Sequence, residues 1–325
     1  MMPRHFCAHF DHNYIPRALV MLESLHAHCP GAVVHVLCLT PECFTAMEGL
    51  AIPYTRIYAL SELEQTDPQC AATRGTRSLV EYYFTLTPCW PRFLLHRHEL
   101  PEVTYLDADM MFFSSPEPIF TEAGEAEVII TPHRFSSRLA SLEEYGRYNV
   151  SWLTFRRGEH GDRCLEWYRN ACLEWCFDRI EGERYADQKY LDAFPRLFGA
   201  VHSIEHAGAG LAPWNLDRYP LVMKDGELLV QDVPLIFYHA QAFCTICGPF
   251  YSSGCRTYKT VLTREMKEYI FKPYVRALKA SAVKAKSYAV TAGKAGMRIQ
   301  QHDGFRAMYK RIRKEYKSSS LVIHF

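Results

Sequence analysis

Tyr105-Leu-Asp-Ala-Asp-Met-Met-Phe-Phe113 is the stretch that decides the fold. Val103 to Leu106 is apolar and β-prone, so it reads as a buried strand, and Asp107 and Asp109 then appear abruptly where that strand should end. In open α/β sheets ligands gather beyond the carboxyl ends of the strands. Two carboxylates one residue apart at such an end can hold a hard divalent cation against a diphosphate. A chain with twelve Asp meets an Asp-x-Asp readily by chance, so the context carries the weight. Phe112 and Phe113 resume the apolar run and would bury acids that had no partner.

Upstream, His5 to Phe10 reads as a strand closed by the polar turn Asp11-His-Asn-Tyr14. Ile15, Ala18, Leu19, Leu22 and Leu25 then recur at helical spacing, with Pro16 suited to a first turn and Gly31 just past the end. Strands over Val33 to Leu39 and Arg56 to Leu60 flank a helix over Pro41 to Leu50, and Ser61-Glu-Leu-Glu64 looks like a capped helical start. This β-α-β-α-β alternation predicts a mostly parallel sheet with helices on both faces. No Gly-x-Gly-x-x-Gly follows the first strand and no Gly-x-x-x-x-Gly-Lys occurs, which argues against a nicotinamide or flavin dinucleotide and against a nucleoside triphosphate cradle.

Between the third strand and the acidic one, Arg74-Gly-Thr-Arg77 precedes an aromatic helix, Glu81-Tyr-Tyr-Phe84, and arginine can clamp diphosphate oxygens bidentately. Further strands read over Val128 to Thr131, ending in Pro132-His133, and over Tyr148 to Phe155, where Asn149 meets a loop. Gly161 to Ile180 reads as one long helix. Asp187 and Gln188 then open an amphipathic segment, as a helix cap or as part of a site. Gly208 to Asn215 is a loop of small residues ending in an aromatic, and Lys224-Asp-Gly-Glu227 is a hairpin turn. Leu235-Ile-Phe-Tyr-His239 reads as a buried strand whose last residue, His239, is a candidate third ligand beside the two acids.

At 325 residues, 48% hydrophobic and 22% charged, the chain is long enough for a large core. Its twelve cysteines are too sparse for a secreted disulfide scaffold and read as reduced thiols of a cytoplasmic protein. No apolar run reaches the roughly 20 residues of a spanning helix. The net charge of +1 hides a polarity, since residues 256–325 carry +13 and residues 1–255 carry −12. In that tail Phe305, Met308, Tyr309, Ile312 and Tyr316 form a helical stripe, with Arg306, Lys310, Arg311, Arg313, Lys314 and Lys317 opposite. Residues 301–325 are thus expected to lie on an anionic membrane surface, peripheral on the cytosolic face of the inner membrane. No nucleic-acid motif accompanies the basic tail, and the acidic front would repel a backbone, so no nucleic acid is expected as partner.

In this order the motifs resemble those of the metal-dependent GT-A nucleotide-sugar glycosyltransferases, above all the group holding glycogenin and the retaining galactosyltransferases of bacterial lipooligosaccharide synthesis. The resemblance covers residues 4–250 and rests on Phe10-Asp-His-Asn-Tyr14, Tyr105-Leu-Asp-Ala-Asp109, Asn149, Asp187-Gln188 and the late His239. It implies a GT-A, Rossmann-like catalytic domain over 1–255 with a basic helical extension over 256–325. It further implies transfer, with retention, of a sugar from a nucleotide-diphosphate donor such as a UDP-sugar to a bacterial surface glycan or glycolipid acceptor. Asp11 and Asn13 would hold uracil and ribose, and Arg77 the diphosphate. Asp107, Asp109 and His239 would hold Mn²⁺ or Mg²⁺, while Asn149, Asp187 and Gln188 would face the sugar and the reacting centre. The family's late His is usually followed by a Gly and a Lys-Pro-Trp segment, whereas Ala240-Gln-Ala-Phe243 follows here.

Two other readings stay open at this point. An Asp-x-Asp also supplies the nucleophile and acid of haloacid dehalogenase-type phosphatases, which carry it on the first strand. Cys244-Thr-Ile-Cys247, with Cys255 and His239, could instead hold a structural zinc ion.

Overall fold

The computed structural model describes residues 3–286 and 305–324. The chain begins β1 (His5–Phe10), α1 (Ile15–His28), β2 (Val33–Cys38), α2 (Pro41–Leu50), β3 (Thr55–Ala59), α3 (Leu60–Thr66), α4 (Pro68–Thr73) and α5 (Leu79–Arg97). The middle of the chain adds β4 (Glu102–Leu106), β5 (Met110–Phe112), α6 (Glu117–Ala123), β6 (Val128–Pro132), β7 (Tyr148–Arg156), α7 (Glu159–Glu174), α8 (Phe194–Leu197) and β8 (Val201–Ser203). Then follow β9 (Leu221–Lys224), β10 (Glu227–Val230), β11 (Val233–Pro234), β12 (Phe237–His239), β13 (Cys244–Cys247), β14 (Phe250–Ser252), α9 (Arg264–Met266), α10 (Lys272–Lys286), α11 (Phe305–Lys317) and β15 (Leu321–Ile323).

Seven strands form the central sheet in the order β3-β2-β1-β4-β7-β6-β8, parallel except for β7, which runs against both of its neighbours. The expected α/β architecture is present. One core layer lies under α1, α2 and α6 and the other under α5 and α7. In α1 the buried side chains Ile15, Ala18, Leu19, Leu22 and Leu25 are those of the sequence stripe. The start of α5 is fixed by a reciprocal pair: Glu81 accepts from the Ser78 amide at 2.9 Å, and Ser78 Oγ accepts from the Glu81 amide at 3.4 Å.

Two local expectations give way. The helix read over 161–180 ends at Glu174, because Trp175 is extended and gives its carbonyl to the Tyr190 hydroxyl at 2.8 Å. The late strand is shorter at its start than expected: Leu235 pairs its amide with Leu228 and Ile236 with Gly208, and only Phe237–His239 joins β5. The hairpin forms as read, with Asp225 and Gly226 both at positive φ (51° and 86°) between β9 and β10.

Two parts of the 256–325 extension are seated on the front of the chain. Helix α10 runs along α1, with Lys284 Nζ 2.6 Å from Glu23 Oε1, and β15 pairs antiparallel with β14 through buried Leu321 and Val322. Helix α11 turns Glu315 inward, 2% exposed, onto Arg256 at 2.8 Å, and Arg311 onto the Cys244 sulfur at 3.0 Å. The stripe read from periodicity is therefore split. Met308 and Ile312 are half-buried, while Tyr309 (60%) and Tyr316 (71%) are exposed beside Lys310, Arg313, Lys314 and Lys317. Residues 301–304 and 325 of the expected membrane segment lie outside the described residues.

Candidate active site

Strand β4 sits in the middle of the sheet and stops at Leu106, paired with Trp152 of β7, so the chain emerges at the carboxyl edge with Asp107. The Asp107 amide is held by the Ser151 carbonyl at 3.2 Å, and the Tyr105 hydroxyl donates to Asp107 Oδ1 at 3.1 Å. Strand β5 then returns the chain beside β12, with Met110 opposite His239. That register, tightened by the Ala240 amide donating to the Asp109 carbonyl at 2.9 Å, lays the imidazole over both acids. His239 Nε2 is 3.1 Å from Asp109 Oδ1 and 3.6 Å from Asp107 Oδ2.

One atom from each of the three side chains lies within 4.8 Å of the others, and among the described residues this is the one such cluster of His, Cys, Asp or Glu. Bonds of about 2.1–2.2 Å to a six-coordinate cation put neighbouring ligand atoms about 3 Å apart. Two carboxylates and an imidazole at these separations suit Mg²⁺ or Mn²⁺. The electrostatics agree. Burial, with Asp109 adding, pushes Asp107 up to about 6 against the pull of His239. Burial would also raise Asp109, but His239 and Arg17 hold it below the usual carboxylate range. His239 is held above its ordinary value by the two acids in spite of burial. These carboxylates need positive charge opposite them, which a divalent cation or an imidazolium supplies.

The alternative zinc site is not assembled. Cys244 takes a hydrogen bond from Arg311, Cys255 is buried against the Tyr238 hydroxyl, and His239 turns its Nε2 to the acids. The phosphatase reading fails on position, since Asp107 and Asp109 follow the fourth strand and not the first.

The other residues singled out in the sequence are placed differently from one another. Asp11 lies just past β1, the strand next to β4, and its carboxylate is engaged by Asn13, from the amide at 2.9 Å and the side chain at 3.2 Å. Asn149 at the start of β7 accepts from the Ser151 amide at 3.0 Å and donates to Gln188 Oε1 at 3.2 Å. Gln188 in turn donates to the Tyr145 carbonyl at 2.9 Å, which fixes both amide orientations. Gln188 precedes the short turn Lys189–Ala193 without a side-chain capping bond to it. Asp187 is 2% exposed, and burial, with the Asp107 charge adding and a Thr87 hydrogen bond opposing, pushes its carboxyl up to about 7. Ala186 just before it is left-handed (φ 45°), a strained conformation of the kind found at functional sites. Arg77 is placed otherwise than expected. Its guanidinium is bound to Thr85 and to the Leu173 carbonyl, which ties α5 to the end of α7, and none of its contacts is with the cluster.

No family model matches the chain. It is 29% identical over 279 residues to the uncharacterized protein YfnD of Bacillus subtilis (strain 168), covering 85% of this chain and 88% of that one. The uncharacterized protein YfnF of the same organism is 28% identical over 247 residues, covering 73% and 81%. The crystal structure of the galactosyltransferase LgtC, in complex with donor and acceptor sugar analogs, superposes with a TM-score of 0.51 at 15% identity, covering 85% of this chain and 95% of that one. The fold is GT-A.

Sequence reading missed part of the wall of this GT-A site. Trp214, from the small-residue loop, stands edge-on to both His133 (5.0 Å between ring centres) and His239 (5.6 Å). Asn215 holds that loop by donating to the carbonyls of His133 (2.9 Å) and Gly210 (3.0 Å). Gly210 has φ 79°, and a Cβ there would meet Thr131 Cγ2 at 2.7 Å. His133 stacks on Phe135, and burial drops its ring to about 3, so it is neutral. The second amide hydrogen of Asn149 faces its Nε2 at 3.4 Å. The signal available in the sequence was the Trp-Asn pair closing a run of small residues.

Proposed function

We propose that this protein is a metal-dependent glycosyltransferase that moves a sugar from a UDP-sugar to a glycan or glycolipid of the bacterial surface, with retention at the anomeric carbon. The observation that carries it is the Asp107, Asp109 and His239 cluster at the carboxyl end of a central strand of a GT-A sheet. The three side chains would hold Mn²⁺ or Mg²⁺, which when bound neutralises the diphosphate as it leaves. Asp11 and Asn13, at the end of the adjacent β1, would take the uracil and ribose. Asn149 and Gln188, locked to each other, would orient the sugar. Asp187 stands beside them, buried enough to be neutral below about pH 7, and can donate a hydrogen bond to a sugar hydroxyl or, once ionised, stabilise positive charge at the reacting carbon. His133 and Trp214 would form an aromatic wall beside His239. The likeness to a galactosyltransferase supports a hexosyl donor.

The test is hydrolysis and transfer across a panel of UDP-sugars with Mn²⁺. Turnover of one donor that stops on chelation supports the reading, and release of phosphate from simple phosphate esters with no use of any nucleotide sugar sinks it. Proton NMR of fresh product showing an inverted anomeric centre would overturn retention.

The exposed face of α11 supports a peripheral place on an anionic membrane. Tyr309 and Tyr316 offer ring surface to the interface, and Lys310, Arg313, Lys314 and Lys317 would each gain about 1 kcal/mol near anionic head groups. Among the described residues no helix is long and apolar enough to cross a membrane. Because β15 is buried, removing residues 301–325 would also strip a strand from the core, so charge reversal is the cleaner test. Lys310, Lys314 and Lys317 all changed to Glu should abolish sedimentation with anionic vesicles at low salt and spare donor hydrolysis. Equal sedimentation of variant and wild type refutes the anchor.

A further inference from the structure

A divalent cation on Asp107, Asp109 and His239 offsets the two carboxylates, and a nucleoside diphosphate then brings further negative charge into the cleft. The arginine expected to meet it, Arg77, is engaged between α5 and α7. Arg134 is likewise occupied, by the carbonyls of Ala209 (2.6 Å), Ile204 (2.8 Å) and His206 (3.2 Å). Arg17 is different. It lies in the first turn of α1, is 8% exposed, donates from Nη2 to the Phe243 carbonyl at 2.6 Å, and is otherwise faced by the neutral hydroxyls of Tyr14 and Tyr274. Among the described residues it forms no ion pair. Its nearest negative charge is that of Asp109, which it holds down without pairing with it, so a buried guanidinium keeps capacity for a further anion.

Its surroundings say which anion. Arg17 follows directly on the Asp11-His-Asn-Tyr14 turn and sits 5.1 Å over the Tyr14 ring, and Tyr14 feels the charges of both Asp109 and Asp107. On its other side is Phe243, four residues after the metal-cluster residue His239, whose chain continues from β12 through Ala240. α1 is locked to β5 by the Phe112 amide donating to Ser24 Oγ at 3.0 Å. Arg17 therefore stands next to the turn that would hold the nucleoside and within reach of the charge of Asp109 in the cluster that would hold the metal. A diphosphate joining nucleoside to metal would come within its reach.

We propose that Arg17 is a protein cation that binds the donor diphosphate, in the role expected of Arg77. This rests on the nucleotide-sugar reading. Its bond to Phe243 fastens the loop that follows His239, so that donor binding and loop position would be joined at one side chain.

The experiment uses full-length protein with saturating Mn²⁺ and compares wild type, Arg17→Lys and Arg17→Met by calorimetric titration of UDP and of uridine, with manganese binding alone followed by electron paramagnetic resonance. Losing a charge-assisted contact weakens UDP about 10- to 100-fold in Arg17→Met, with partial recovery in Arg17→Lys, while uridine and manganese change less than about threefold. Unchanged UDP affinity in Arg17→Met overturns the proposal. So does a parallel fall of UDP, uridine and manganese binding, which would make Arg17 a pin for the Phe243 loop. A wild type that binds manganese but no UDP overturns the nucleotide-sugar reading itself, and is distinguished from a failure of Arg17 alone because the latter leaves wild-type UDP binding intact.

Discussion

Asp187→Asn isolates the cost of a buried carboxyl. The native carboxyl titrates near 7 against an ordinary 3.8, chiefly through burial. An acid whose native value is raised destabilises the fold when it ionises. Its effect is absent below the unfolded value, grows as pH rises between the two values, and is complete above the native one. At about 1.4 kcal/mol per unit, a rise of about three units amounts to up to about 4 kcal/mol lost between about pH 4 and pH 7. Asn has the same shape and does not titrate. The assay is urea unfolding of chelator-washed wild type and Asp187→Asn from about pH 5 to about pH 8. The variant's advantage over wild type should widen by about 1.4 kcal/mol per unit until near pH 7 and then level off. Parallel curves across that range would show that Asp187 is ionised in the folded protein and refute the reasoning.

Asp107→Ala or Asp109→Ala should leave the melting temperature within a few degrees of wild type and remove metal-dependent donor turnover, read as UDP release; wild-type rates in either would count against the cluster. Gln188→Ala should lower kcat more than it raises KM for the donor, since its bonds are to Asn149 and the Tyr145 carbonyl, and a change in KM alone would make it a binding residue. Arg256→Ala removes the partner of the 2%-exposed Glu315 and, because Arg256 itself is half-exposed, should cost about 1–3 kcal/mol by urea midpoint. Gly210→Ala forces a side chain at φ 79° against Thr131 and should lower both stability and donor turnover, whereas an unchanged pair would show that the loop yields freely.

Much of this was legible because it is local. The alternation from His5 to Ala59 and the two acids closing β4 follow from apolar runs and their breaks, and Asp225-Gly226 from the φ values a tight hairpin needs. What the sequence withheld is tertiary. His239 could be named as a third ligand from its place at a strand end and from the resemblance, but the β5 to β12 register that brings it over Asp109 is encoded by no periodicity. Arg77 read as a phosphate clamp because arginine before a helix has that chemistry, yet the Leu173 carbonyl takes its fork. In α11 the hydrophobic stripe was real, but Glu315 was left out of it. It turns inward onto Arg256, and two of the stripe's tyrosines end in solvent. Arg17 gave no signal at all, standing as one cation in an apolar helix.

The most direct test of the central claim is manganese binding with and without UDP, followed by electron paramagnetic resonance on wild type and Asp109→Asn. The expected result is one Mn²⁺ per wild-type chain, held at least about tenfold more tightly once UDP is present, with both the site and the tightening lost in Asp109→Asn. Manganese that binds the two proteins alike, or a wild-type site indifferent to UDP, would contradict a metal-bridged nucleotide at Asp107, Asp109 and His239.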